Sequence, residues 1–376
     1  MTAPALREIT AEEIEALAIG AWVLGTGGGG SPYLGLLNMR RLYAEGRRVQ
    51  LMSPLDLADD DWVAVVSNMG APLVGQERLA DSRNTARAVR MQEEINGFTF
   101  RAVMSVEIGG GNGIQALMAA AELGIPVVDA DCMGRAFPEA QMTSVAIGGL
   151  KPYPCTLYDP RGIEAVVTKV PSWKWMERAS RKICVEMGSI ASTSKAPRTG
   201  REVKDWGIHF TTTAAIRIGR TVQEANRRHE DPVAAIIDGE GGLKLFTGKV
   251  VDVARRATEG FLRGSATLEG LDDDRGSQME LSFQNEWIVA WREGKAIATS
   301  PDLICVLDSV NGNGVGTETV RYGQRVTVIA LPSPAVLTTP RGLEHVGPRA
   351  FGYDLEFQSL FQPSAEPASG ASGRGA

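Results

Sequence analysis

Apolar and polar positions repeat with two different periods along this chain, and the change between them divides it. From residue 10, Ile14, Leu17, Ala18, Ala21 and Trp22 recur at helical spacing. Thr10 followed three positions later by Glu13 forms a capping box that starts this helix. A glycine run, Gly25-Thr26-Gly27-Gly28-Gly29-Gly30, ends it. Ser31 as N-cap with Pro32 at the first helical position then predicts a second helix from Tyr33 to Glu45. A short strand is expected around Val49 to Met52 and a buried one over Trp62 to Val66, the latter running into the polar loop Ser67 to Pro72. A helix over 76–95, with Leu79, Ala86, Val89 and Met91 inward, leads to a strand from Phe98 to Val106. Asn112 as N-cap, the stripe Ile114, Leu117, Met118 and Ala121, and Gly124 at C′ predict another helix. The run Val127 to Asp131 reads as a buried parallel strand. Alternating strands and helices of this kind define an α/β domain with a largely parallel sheet. A β-rich arm over 144–170 closes it, giving a first domain over 9–170.

After Pro171 the texture changes. Trp173 to Met187 fits helix and strand equally, and the Ser/Thr-rich stretch Ser189 to Pro197 reads as a turn or as a substrate-facing loop. Residues 206–230 form a helix with Ala214, Ile218, Val222 and Ala225 inward and His209 in its first turn. From Leu243 onward strands dominate: Leu243 to Arg255, Gly260 to Leu268, Met279 to Trp291, Ala296 to Thr299, Leu303 to Leu307 and Arg325 to Leu331. Hairpin turns are expected at Glu293-Gly294 and Asn313-Gly314. A β-rich C-terminal domain over 171–362 is therefore expected, followed by a Pro/Ser/Gly/Ala tail, 363–376, whose composition predicts disorder.

Composition narrows the function. A net charge of −6 and the absence of any basic run argue against nucleic-acid binding. No apolar run approaches the ~20 residues of a membrane span, and the acidic N-terminal stretch lacks the basic start of a signal peptide. Cys132, Cys155, Cys184 and Cys305 are dispersed, so reduced thiols in a cytoplasmic protein are expected. Three histidines exclude a His-rich metal site.

Candidate chemistry gathers in the first domain. Glu107 ends one strand; Asp129, Asp131 and Cys132 end the next. In open parallel sheets, ligands bind beyond the carboxyl ends of strands. Any single acid there more often caps a helix or braces a loop, but four chemistry-bearing side chains together point to catalysis. The glycine run formally fits a dinucleotide fingerprint, yet a helix and not a strand precedes it, and no lysine follows as in a phosphate-binding loop. What remains is flexible backbone, Gly27, Gly28 and Gly29 with Ser31, suited to an anionic or carbonyl-bearing ligand. Asn112 and Arg135 complete the expected substrate-binding set, Arg135 facing a substrate carboxylate or pairing locally with Glu139.

Several segments together resemble one family. GTGGGGSPY (25–33), SNMGAPLVGQE (67–77), VEIGGGN (106–112), DADCMGRAFPEAQM (129–142), LFTGKVVDV (245–253), FQNEWIVA (283–290), PDLICVLD (301–308) and VGPRAFGYD (346–354) are similar to proteins catalogued as domain of unknown function 917. That family is associated with S-methyl thiohydantoin desulfurase and with hydantoinase genes. The resemblance implies a hydrolase that removes methanethiol from an S-methyl thiohydantoin-type ring by attack of an activated water. It leaves two alternatives open: a hydantoin or cyclic-amide ring hydrolase, or a subunit of one; and a non-catalytic partner of a hydantoinase-like enzyme. A homo-oligomer is a further expectation. Cys132 and His209 depart from the residues expected of the wider family. With Asp131 they form a candidate Zn²⁺ site with one position open for water; Cys132 as a nucleophile activated by His209 is the competing role.

Overall fold

The computed structural model describes residues 5–70, 81–258 and 261–361. The expected tail and the start of the 76–95 helix lie outside them. The capping box forms as expected: the Thr10 hydroxyl accepts from the Glu13 amide and the Glu13 carboxylate accepts from the Thr10 amide, opening a helix over Ala11–Leu24. The next helix spans Tyr33–Ala44, with Ser31 Oγ accepting from the Tyr33 amide. Asn112 heads its helix, Asn112–Leu123, without capping it.

The first sheet is mixed. Its order is Leu6–Glu8, Gln50–Met52, Val127–Val128, Ala102–Ser105, Trp62–Gly70, Ile190–Ser194, Cys155–Asp159 and Ile163–Val167. The strands at 50–52, 127–128, 102–105 and 62–70 are parallel to one another; the rest join antiparallel. The 190–194 strand pairs directly with the 62–70 strand, so this part of the Ser/Thr-rich stretch is an element near the middle of this sheet and not a turn or loop. Two of its hydroxyls bond to the neighbouring strand: Ser192 Oγ donates to Asn68 Oδ1 at 2.9 Å, and Thr193 pairs with Ser67 at 3.0 Å. Trp173–Glu186 is a helix, capped by Ser172.

The second sheet has seven antiparallel strands, in the order 295–299, 286–292, 278–284, 261–270, 243–258, 325–331 and 303–308. The chain is thus an N-terminal α/β unit with a sheet parallel at its centre and a C-terminal antiparallel β-rich unit. Two turns depart from expectation. Met279 to Trp291 is a hairpin of two strands, reversed at Asn285, whose φ is +58°. Asn313-Gly314 does not turn a hairpin; it lies within the long connection from Asp308 to Arg325, where Gly314 bridges Leu307. Glu293-Gly294 turns one as expected, both residues at positive φ.

The helix at Ala11–Leu24 crosses a helix at Thr211–Arg228 at very close range. A Cβ added at Gly20 would lie 1.8 Å from the Ala215 carbonyl oxygen, and one at Gly219 would lie 1.8 Å from that of Ala16. The obstacle is backbone on both sides and cannot rotate away. Gly20→Ala is therefore expected to destabilise the protein by about 2 kcal/mol in chemical denaturation, overpacking outweighing the gain in helix propensity. An unchanged midpoint would refute the tight crossing.

Candidate active site

The parallel strands 62–70 and 102–105 deliver their carboxyl ends to one cavity of about 490 Å³. Gly29, Gly30 and Ser31 form one part of its wall, Asn68, Glu107 and Asn112 another, and Ser192 and Lys195 a third. Asn285, Glu286 and Glu318 reach it from the C-terminal unit. The glycine run and the strand-end acid therefore meet across a shared space.

Glu107 is 5% exposed. One carboxylate oxygen accepts from Asn112 Nδ2 and the other from the Phe137 amide at 3.1 Å. Burial outweighs these bonds and pushes its pKa up to about 7, with Asp131 adding repulsion and Lys195 opposing it. Asn112 earns its place here by a side-chain bridge: its Oδ1 accepts from the Asn68 amide at 2.8 Å while Nδ2 holds Glu107. Lys195 follows the 190–194 strand, its amide donating to Val65 at 2.7 Å. It is buried, lines the cavity, and no acid among the described residues forms an ion pair with it.

The other expected site residues lie elsewhere. Asp129 caps: it accepts from the Thr213 amide at 3.0 Å and the Thr213 hydroxyl, fixing the start of the 211–228 helix. Asp131 braces: it accepts from the amides of Ile108, Met133 and Gly134, and burial drives its pKa up to about 7. Neither faces the cavity. Cys132 is fully buried, with its thiol pushed up to about 12 by desolvation and the neighbouring Asp131, which does not suit a nucleophile. His209 sits in a two-residue strand, Ile208–His209, paired with Ala130–Asp131, and not in a helical turn. Its Nε2 hydrogen-bonds the Val203 carbonyl at 3.2 Å, which requires a proton on that nitrogen.

The expected zinc set therefore does not fit. The Asp131 oxygens are occupied by amides, His209 is turned to Val203, and among the described residues no group of three His, Cys, Asp or Glu side chains is disposed to hold a metal ion. Cys132, Cys155, Cys184 and Cys305 are all buried and free, and burial raises each thiol's pKa. Native protein is expected to react slowly with a thiol-specific disulfide reagent, and all four thiols to react after denaturation. Rapid labelling of Cys132 in the native state would contradict this burial.

The glycine run divides its work. Gly29 and Gly30 face the cavity, and their carbonyls accept from the Gly111 amide at 3.1 and 2.7 Å. Gly27 and Gly28 meet the C-terminal unit instead: a Cβ at Gly27 would lie 2.5 Å from Trp287 Nε1, and one at Gly28 would lie 2.0 Å from Glu286 Oε1. The Thr26 carbonyl accepts from the Trp287 amide and that of Gly27 from the Thr317 amide, both at 2.8 Å. Arg135 fastens the same seam and does not reach a substrate or Glu139. Its guanidinium is fully buried and donates to the carbonyls of Pro301 and Asp302 and to Thr26 Oγ1.

Lys195, Glu286 and Glu318 were not legible as site residues. Glu286 had one faint signal: Asn285 in the run Gln-Asn-Glu is a residue type that tolerates the positive φ of a tight turn, and that turn points Glu286 inward.

The arrangement defines a two-unit protein whose α/β half and antiparallel β half jointly wall a cavity containing buried carboxyls. The chain belongs to the S-Me-THD-like family, the S-methyl thiohydantoin desulfurase-like proteins. The family's N-terminal domain matches residues 12–169 and its C-terminal domain residues 171–360. The strand at 190–194 thus comes from the second matched segment but is built into the first sheet. Comparison with curated proteins finds no match. A crystal structure of a protein from Chromobacterium violaceum shares the fold, with a TM-score of 0.77 over 94% of this chain and 99% of that one, at 24% identity. No helix among the described residues is long and apolar enough to cross a membrane. The family name points to a desulfurase-like enzyme.

Proposed function

We propose that this chain is a hydrolase that releases methanethiol from an S-methyl thiohydantoin-type ring. The observation that carries this reading is Glu107: a buried carboxyl with its pKa raised to about 7, on the wall of a cavity also lined by Lys195, which has no acid partner among the described residues. The ring carbon bearing sulfur is electrophilic, and the chemistry needs a base for water and a positive group near the ring heteroatoms. Ionised Glu107 takes a proton as the water oxygen bonds to that carbon. The Lys195 ammonium steadies the charge that develops on the ring nitrogen or carbonyl oxygen. The carbon–sulfur bond then breaks with its electron pair leaving on sulfur. Of the two water hydrogens, one ends on the ring nitrogen and the other on sulfur, with Glu107 carrying a proton between them. Asn112 positions Glu107, and the Gly29–Ser31 backbone lies on the wall where a ring carbonyl would rest. No step runs through zinc, since the candidate ligands do not converge.

The test uses the purified full-length chain alone with an S-methyl thiohydantoin. Methanethiol release with an intact hydantoin as product supports the desulfurase. A ring-opened carbamoyl product would replace it with cyclic-amide hydrolysis. No turnover by the chain alone, with turnover restored by a hydantoinase-like enzyme, would make it a partner protein.

A further inference from the structure

The wall contributed by the C-terminal unit has a property the reaction above leaves unused. Glu286 is 2% exposed, and its Oε2 has no hydrogen-bond partner among the described residues. Both carboxyl oxygens of Glu318 are likewise buried and unpartnered. Both residues line the cavity. Buried carboxyl oxygens without partners are costly and rare.

The fold accommodates these groups by design of the surrounding backbone. A Cβ at Gly28 would lie 2.0 Å from Glu286 Oε1, and one at Gly316 would lie 2.6 Å from Glu318 Oε2, so glycine at each position makes room for a carboxyl. The two nearby arginines do not neutralise them by contact. Arg135 donates to the carbonyls of Ala136, Pro301 and Asp302 and to the Thr26 hydroxyl, and Arg255 donates to the carbonyls of Thr317 and Val320. Of the two basic residues on the cavity wall among the described residues, Arg181 is already paired with Glu177, and Lys195 is assigned to the ring. A cavity of about 490 Å³ is in the size range that buries a drug-sized ligand, larger than a bare five-membered ring with one methylthio group.

We infer that Glu286 and Glu318 form a subsite for a cationic, N–H-donating arm carried by the substrate ring, of the ammonium or guanidinium class. Two carboxyls on one cavity wall match several N–H donors at once, and charge-assisted hydrogen bonds of this kind are the strong ones. The inference rests on the desulfurase reading for the identity of the ring, while the arm's chemistry follows from the wall itself.

Titration calorimetry with two non-reacting hydantoins separates the two claims. The 5-(3-guanidinopropyl) and 5-butyl rings differ in the charged arm end. At pH 8, above the value of about 7 to which burial raises Glu318, the wild-type chain is expected to bind the guanidinium-bearing ring roughly tenfold more tightly, the cation favouring the ionised carboxyls. Glu318→Gln and Glu286→Gln are each expected to remove most of that preference. Retained binding of the butyl ring by each variant shows that its cavity is intact. Equal affinities in the wild type, a preference that survives both substitutions, or no binding of either ring would overturn the inference; in the first two cases the carboxyls hold only water. Methanethiol release from a 5-methyl S-methyl thiohydantoin is measured in parallel. Turnover without a cationic preference sinks the subsite alone, and a cationic preference without turnover sinks the reaction alone.

Discussion

Glu107→Gln is expected to lower kcat/KM for methanethiol release by roughly 10²- to 10⁴-fold, the usual contribution of a positioned general base. Glutamine keeps the shape of the side chain but cannot take a proton from water. The pH profile adds a second, independent reading. Only ionised Glu107 acts as base, and burial holds its pKa at about 7. Wild-type kcat/KM should therefore climb about tenfold per pH unit on the acid side of that value and level off above it. The residual activity of the variant should lose this dependence. A variant within a few-fold of wild type, or a wild-type rate that falls as pH rises through 7, would remove Glu107 from the role of base.

Folding stability is expected to move in the opposite direction, falling as pH is raised from about 5 to 8. Glu107 goes from 4.5 in the unfolded chain to about 7 in the folded protein because burial disfavours its charge. Between those values the folded state keeps a proton that the unfolded chain has released. The stabilisation is therefore complete below 4.5 and lost as pH rises through 7, and this one group accounts for on the order of 3 kcal/mol. Asp131 and Glu286 are raised by burial too and act with the same sign. Urea midpoints at pH 5 and pH 8 measure the difference. Glu107→Gln should reduce the slope, so the variant that loses turnover should resist urea better than wild type at pH 8. A stability that rises between pH 5 and 8 would show that these carboxyls are ionised and well paired in the native state.

The opposed effects have one cause. A carboxyl this deeply buried has a pKa suited to accepting a proton at neutral pH, and the folded state bears the cost of its ionisation. Arg135 belongs to the same account. Burial lowers its pKa to about 10, still high enough to keep the charge, and its donors bind carbonyls across the seam between the two units. The seam fixes where Glu286 stands relative to Glu107.

Local pattern determined a good deal of this protein. Helical spacing and the Thr10–Glu13 capping box placed the first helix, and Gly124 ended the 112–123 helix in the left-handed conformation. Alternation placed the C-terminal strands, and Glu107 and Asn112 were recognisable beside the glycine run because strand ends and glycine loops are local features. Other assignments required the tertiary structure. Asp129, Asp131 and Glu107 look alike in sequence, and only their partners separate a helix cap, a loop brace and a cavity wall. Cys132 and His209 looked like metal ligands by residue type, but ligation depends on direction in space, and here the sulfur is buried and the imidazole faces Val203. Lys195, Glu286 and Glu318 lie far from Glu107 in the chain, and no periodicity encodes their meeting. It follows from the 190–194 strand entering the first sheet and from the hairpin at Asn285 packing against Gly28, since desolvation and convergence are properties of the assembled fold.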